Sequence, residues 1–164
     1  MPDPRPSRIR LSAVFGPEPT TSPGDALTWL EVERWLKEAT EVWVVTVRPD
    51  GRPHSVPVDI VWVDAAAIFG APPATQRARN LDANREVVFH LPGIENVAIL
   101  EGRPEPLVPG PMLQRLLEVA RARYGAAAWP PERLLGATWY LRPRRVIAWR
   151  VGDMRNTATR WTFD

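Results

Sequence analysis

Residues 42–63, VWVVTVRPDGRPHSVPVDIVWV, constrain this chain more than any other stretch, because two runs suited to extended backbone flank Arg48-Pro49-Asp50-Gly51. Val42 to Val47 is almost wholly β-branched and aromatic, a composition that packs well on a pleated surface. Pro49 presets φ for the first corner of a turn, Asp50 can bond nearby backbone, and Gly51 supplies the left-handed residue that a bulged hairpin loop needs. A hairpin is expected here. Its second arm carries Pro53 and Pro57, which cannot donate to a ladder, so this strand belongs at an edge, at a bulge, or with those nitrogens facing a ligand.

Around the hairpin, short elements alternate with turn signals. A helix begins near Asp25 or Thr28, where Thr28 to Glu31 has capping-box spacing, with Trp29, Val32 and Leu36 near one face, placed to cover one end of a barrel. Ala67 to Gly70 reads as a third strand, stopped by Pro72-Pro73. A short polar helix follows over TQRARNLD, with Thr75 as its N-cap and Asn84 near its end. Glu86 to Leu91 and Glu95 to Gly102 read as strands, and Glu105 to Val108 as a continuation beyond Pro104. Pro111 opens a helix whose apolar stripe is Leu113, Leu116, Leu117 and Ala120, ended by Gly125. Pro131 to Leu135 can form one helical turn. Thr138 to Leu141 and Arg145 to Trp149 read as a hairpin around Arg142-Pro143-Arg144, and Thr157 to Phe163 as a last strand or an arm that reaches a partner. Six or seven short strands with few helices imply a mainly β fold, a closed or nearly closed antiparallel barrel that removes exposed edges.

With 164 residues the chain suits a single domain over residues 24–164. Residues 1–23 are proline-rich with little apolar periodicity, so a loose arm is expected there. There is no cysteine, which excludes disulfides and thiolate chemistry and suits a reducing cytoplasm. No signal peptide is apparent, and no apolar run approaches the roughly 20 residues of a membrane helix. The net charge is only +2, and Lys37 is the single lysine among many arginines. Nucleic-acid binding would need those arginines gathered on one face, and neither a nucleic-acid nor a membrane partner is expected.

No catalytic triad, metal-ligand spacing or phosphate loop is present, so no catalytic residue is assigned and no metal is expected. His54 and His90 are the two histidines. Beside Pro53, His54 either points into a cleft as a hydrogen-bond donor or is simply half-buried on its strand. Gln76, Arg77, Arg79 and Asn80 stand at the start of the short polar helix, where guanidinium forks, free backbone N–H groups and the positive end of the helix dipole suit a phosphate. The competing reading of the same letters is a solvated helix face in an arginine-rich chain.

The order of a helix, then VTVRPDGRPHSVPV, a short FGAPP strand, TQRARNLDANREVVFH and a following NVAILEG strand resembles the pyridoxamine 5'-phosphate oxidase-like flavin and deazaflavin oxidoreductases, the split-barrel FMN-binding family. The resemblance runs from about Trp29 to Gly102. It implies a split β-barrel homodimer with two cofactor sites at the interface, binding FMN or the deazaflavin coenzyme F420 for hydride transfer to or from a small-molecule substrate. It implies that Ser55, Val56, Pro57 and Val58 lie against the isoalloxazine ring, that Thr46 is a polar neighbour of that ring, and that Gln76, Arg77, Arg79 and Asn80 carry the phosphate. It also lets Arg160 and Trp161 reach across the dimer toward the site, with His54 near the substrate. Two departures stand out: Arg77 replaces a frequent lysine, and Asp59 replaces a frequent aromatic residue. Pyridoxamine phosphate oxidation itself is not expected, since no substrate-phosphate set stands beyond the cofactor segment. The alternative within this fold is a non-catalytic carrier or sensor of flavin or haem.

Overall fold

The computed structural model describes residues 4–9, 26–125 and 134–163. The hairpin forms as its sequence dictates, with β2 (Glu41–Val47) paired antiparallel to β3 (Pro53–Val63) in unbroken register from Glu41 opposite Asp59 to Val47 opposite Pro53. Gly51 closes the turn at φ +86° and donates to the Arg48 carbonyl. The Asp50 carboxylate accepts from the Arg52 amide and guanidinium, which locks the loop.

β3 is too long for one partner. Its first half pairs with β2 and its second half, from Ile60, pairs with β4 (Ala66–Gly70). Ile60 donates its amide to Thr40 on the β2 side. Alternate residues of a strand aim their N–H groups to the same side, so Pro53 and Pro57 turn their nitrogens the other way. Over residues 53–59 β3 has no described strand on that side. The prolines are tolerated because they occupy an open edge.

The remaining strands are β1 (Arg5–Arg8), β5 (Val87–His90), β6 (Asn96–Gly102), β7 (Glu105–Pro106), β8 (Thr138–Leu141), β9 (Arg145–Arg150) and β10 (Thr159–Thr162). All ten form one curled antiparallel sheet in the order β1-β10-β9-β6-β5-β2-β3-β4-β8-β7. The fold class expected from sequence is therefore observed, a mainly β half-barrel with few helices.

Two expectations need correction. β8 and β9 do not pair with each other: β8 lies between β4 and β7, while β9 lies between β6 and β10. The Arg142–Arg144 segment instead carries the chain round a corner, with the Arg144 amide donating to Glu101. Within the expected loose arm, Arg5–Arg8 form an edge strand along β10, where Pro6 costs little; residues 10–23 lie outside the described residues. The last strand belongs to this chain's own sheet rather than to an arm. The helical turn expected at residues 131–135 lies mostly outside the described residues.

Helix α1 (Trp29–Glu38) has the capping box read from its sequence, with reciprocal bonds between Thr28 and Glu31. It buries Val32 and Leu36 completely against the barrel interior, each worth roughly 1.5–3 kcal/mol. Trp29 packs edge-on to Phe163 at 4.9 Å and tilted to Trp161 at 5.8 Å. Phe69 of β4 and Phe89 of β5 meet edge-to-face at 4.9 Å across the interior. On the other face of β3 and β4, Val61, Val63 and Ile68 pack under α3 (Pro111–Tyr124) through Leu113 and Leu116. From the end of α3, Arg123 donates to the carbonyls of Lys37, Glu38 and Ala39, capping α1.

The corner where the two halves of the sheet meet has no room for a side chain at Gly102. A Cβ there would stand 2.9 Å from Leu141 Cδ1 and 3.1 Å from the Arg142 carbonyl. Gly102→Ala is expected to destabilise the protein by about 1–3 kcal/mol, read as a lower urea midpoint with an unchanged denaturant slope.

Candidate functional site

Helix α2 (Gln76–Ala83) starts where Pro72-Pro73 ends the extended chain. Thr75 caps it, accepting from the Ala78 amide at 3.3 Å and donating its hydroxyl to the Pro72 carbonyl at 2.7 Å. The helix is tied down by one fully buried residue, Asn80. Its Nδ2 donates to Thr46 Oγ1 of β2 at 2.7 Å, and its Oδ1 accepts from Gln76 Nε2 at 2.8 Å. Gln76 Oε1 in turn accepts from Arg79 Nη2 at 3.1 Å, while Arg79 Nη1 bonds the Ala74 carbonyl.

Arg77 is half-buried and points the other way. Its Nε donates to the Gly70 carbonyl at the end of β4, at 2.7 Å. It makes no ion pair with any described carboxylate, and burial lowers its pKa while leaving it charged. A partly desolvated guanidinium with donors unspent, beside the first turn of a helix, favours an anion. It lines a cleft of about 350 Å³ with Pro57, Val58, Gly70, Thr138 and two carboxylates, Glu41 and Asp59, and is the one cationic side chain among the described lining residues. Along that cleft runs the open edge of β3, where Ser55 and Asp59 aim backbone N–H groups outward and Ser55 and Pro57 aim carbonyls, while the Asp59 carbonyl meets the Gly70 amide in the β3–β4 ladder. A larger cleft of about 630 Å³ is lined by Trp35, Glu38, Glu41 and Glu95, with no cationic side chain among its described residues. That lining disfavours an anion.

The structure thus sorts the residues singled out from sequence. Arg77 lines the cleft beside Pro57 and Val58, whereas Gln76 and Arg79 bond to each other, to Asn80 and to the Ala74 carbonyl. Strand alternation sends the Ser55 and Pro57 side chains outward, and turns Val56 and Val58 toward the barrel interior. Thr46 and Asn80 are fully buried, so both brace the site from beneath. His54 stands opposite Thr46, with Nδ1 3.4 Å from the Thr46 hydroxyl. Burial, then the charges of Arg48 and Arg77, lower its pKa below the ordinary 6.5.

At the C-terminus, Trp161 is 1% exposed and fills this chain's own core against Trp29, so it does not reach outward. Arg160, its neighbour in sequence, faces out of the sheet beside Ile147, and its buried Nε has no hydrogen-bond partner. Sequence reasoning missed the Gly70 carbonyl that orients Arg77 and the part played by Arg48. The first is a backbone group that no residue type announces. The second read only as a turn residue.

The family model described as pyridoxamine 5'-phosphate oxidase matches residues 28–157. The chain belongs to the pyridoxamine 5'-phosphate oxidase family. No curated protein is a significant match to the sequence. Among solved structures, a conserved hypothetical protein of Mycobacterium tuberculosis superposes with a TM-score of 0.63 at 19% identity, covering 80% of this chain and 91% of that one. A protein described as an F420 reductase is 24% identical, with a TM-score of 0.54 over 70% of this chain and 94% of its own. HutZ, the haem storage protein of Vibrio cholerae, is 16% identical, with a TM-score of 0.56 over 70% of this chain and 89% of its own. At these identities the likeness is one of fold. The matched residues include the hairpin, α2 and the strands that follow.

Asn80→Ala removes the bond to Thr46 and leaves Gln76 Nε2 without its buried acceptor. It is expected to cost about 1–3 kcal/mol in unfolding free energy and to loosen the α2 start, seen as faster amide hydrogen exchange at Arg77 to Arg79.

Proposed function

We propose that this protein is an FMN- or deazaflavin-dependent oxidoreductase that moves hydride between its cofactor and a small organic substrate. The observation that carries this reading is the partly buried, unpaired Arg77 at the start of α2, set beside an open strand edge. The residues present fit such a group. A phosphate matches Arg77 beside the first turn of α2. The pyrimidine edge of an isoalloxazine or deazaflavin ring alternates carbonyl and N–H groups, which match the outward backbone groups of Ser55, Pro57 and Asp59. When bound, the cofactor supplies the hydride chemistry, and the protein supplies position and exclusion of water. Arg77 fixes the phosphate end, the β3 edge fixes the ring plane, and the Gly70 carbonyl keeps the guanidinium aimed. Described residues offer no acid–base dyad at this edge, and hydride transfer to a bound acceptor needs none.

The same reading makes the protein a homodimer whose interface completes two cofactor sites. Its support is the outer face of the sheet, where Trp43, Val45, Val88, Ile99, Ile147 and Trp149 share one side and stay partly exposed. Arg160 lies on that face with its Nε unsatisfied, a group that an acceptor from a second copy would satisfy. A cysteine-free chain with no described helix long and apolar enough to cross a membrane fits a cytoplasmic enzyme.

A second reading, a haem or flavin carrier, is favoured by one feature. His90 is exposed on the same apolar face, between Trp43 and Ile99, and the fold is shared with a haem storage protein. That imidazole could serve as the ligand of a planar macrocycle.

Titration with FMN and, separately, with coenzyme F420, followed by tryptophan quenching and cofactor absorbance, tests both. Saturable binding of one of them is expected, weakened about tenfold or more in Arg77→Ala. Binding of neither, together with a haem absorbance band lost in His90→Ala, would replace the enzyme reading by the carrier.

A further inference from the structure

Two carboxylates line the Arg77 cleft, and no ion pair with a described cation offsets either. Glu41 and Asp59 stand directly opposite each other across β2 and β3, and both border the cleft with Arg77. Ile60, next along β3, donates to the Thr40 carbonyl, so by the alternation of an antiparallel ladder Glu41 and Asp59 form a non-hydrogen-bonded pair. Pairs of that class stand closest, with Cα atoms about 4.5 Å apart and both side chains on one face. Like charges so placed destabilise a sheet. Both are exposed, and neither has a hydrogen bond to a described residue. Register brings them together, so no ligand spacing in the sequence announces them.

A third group points the same way. Trp139 and Leu141 of β8 pack in the barrel interior, as do Val58 and Ile60 of β3, so strand alternation turns Thr138 and Asp59 to the opposite face of the sheet. Thr138 is 3% exposed and lines the same cleft, yet its hydroxyl has no hydrogen-bond partner among the described residues. A buried hydroxyl of this kind calls for a partner from outside the chain.

The lining therefore carries one guanidinium against two carboxylates. A phosphate dianion that meets Arg77 here is repelled by Glu41 and Asp59 unless a cation comes with it. An oxygen-only pair at this spacing suits Mg²⁺, which binds oxygen at about 2.1 Å, keeps several waters, and is held by one or two carboxylates together with phosphate oxygens rather than by a complete protein cage. We propose that Glu41 and Asp59 form a Mg²⁺ site that fills together with the anion at Arg77, the ion bridging the two carboxylates to a phosphate oxygen. This inference rests on the reading of Arg77 as the anion contact, and it makes the preferred ligand a phosphate that arrives with a divalent cation.

Mn²⁺ is a suitable probe, because it takes the same oxygen ligands and its free ion is counted by electron paramagnetic resonance. One Mn²⁺ is expected to bind per chain, to be displaced by Mg²⁺, and to bind about tenfold or more weakly in Glu41→Gln and in Asp59→Asn. Both side chains are exposed, so neither change disturbs the core. Inorganic phosphate should tighten Mn²⁺ binding about fivefold or more, and Mn²⁺ should tighten phosphate binding by the same factor. In Arg77→Ala the Mn²⁺ should still bind while that coupling disappears. No Mn²⁺ binding at millimolar concentration, or binding that both carboxylate variants leave unchanged, would overturn the inference. FMN or F420 binding that depends on Arg77 but is indifferent to Mg²⁺ and to Asp59→Asn would also overturn it and leave the cofactor reading standing. Coupled binding of Mn²⁺ and phosphate by a protein that takes up neither FMN nor F420 would uphold the site and remove the cofactor reading.

Discussion

Strand β3 serves two partners, and the rest of the molecule follows from that division. Residues 53–59 pair with β2 and residues 60–63 with β4, so one strand belongs to both halves of the curled sheet. Pro53 and Pro57 enforce the change. A proline cannot donate to a strand on its free side, so no neighbour adds there, and the edge stays open where the site lies. Were those positions ordinary residues, the same edge would be a template for another strand. The cleft beside Arg77 exists because β3 is occupied on one side only.

The site is then a meeting of that edge with α2, and a buried hydrogen bond holds the two in register. Asn80 and Thr46 are both fully buried and satisfy each other, so neither is left with an unpaired polar group in the core. The strand order brings β2 and β4 to either side of β3, and thus brings Thr46 under Asn80 and the Gly70 carbonyl against Arg77. The proposed anion contact, Arg77, and the buried brace, Asn80, belong to the same eight-residue helix. The fold is shared by proteins described as a reductase and as a haem storage protein. Which chemistry is carried out rests on side chains at this edge and on the outer sheet face, since a fold by itself does not specify a reaction.

Local elements were legible because their causes are local. The RPDG turn, the Thr28 capping box, the Thr75 cap and the Pro111 start each depend on residues within four positions of one another, and each is present as expected. Pairing was legible only where a tight turn enforces it. The β2–β3 hairpin has one, whereas the Arg142–Arg144 segment resembles a turn and instead rounds a corner. β8 is captured by the edge of β4, and β9 by the edge of β6, both far away in sequence. Nor does composition show that Arg5–Arg8 finds the edge of β10.

The candidate site divides in the same way. Gln76, Arg77, Arg79 and Asn80 could be marked as a group from the sequence because guanidinium forks in the first turn of a capped helix have a chemical meaning wherever that helix lies; that Arg77 alone of them lines the cleft came from the structure. The sequence also determined that the strand with two prolines would stand open to a ligand or to solvent, since the missing donors are covalent facts. Only the tertiary structure decided that Trp161 turns into the core while Arg160 turns out, and that Thr46 and Asn80 brace the site from beneath. It also set His54 opposite Thr46. Those outcomes depend on strand register and on the packing of α2 against β2, and a one-residue change of register would have reversed every face.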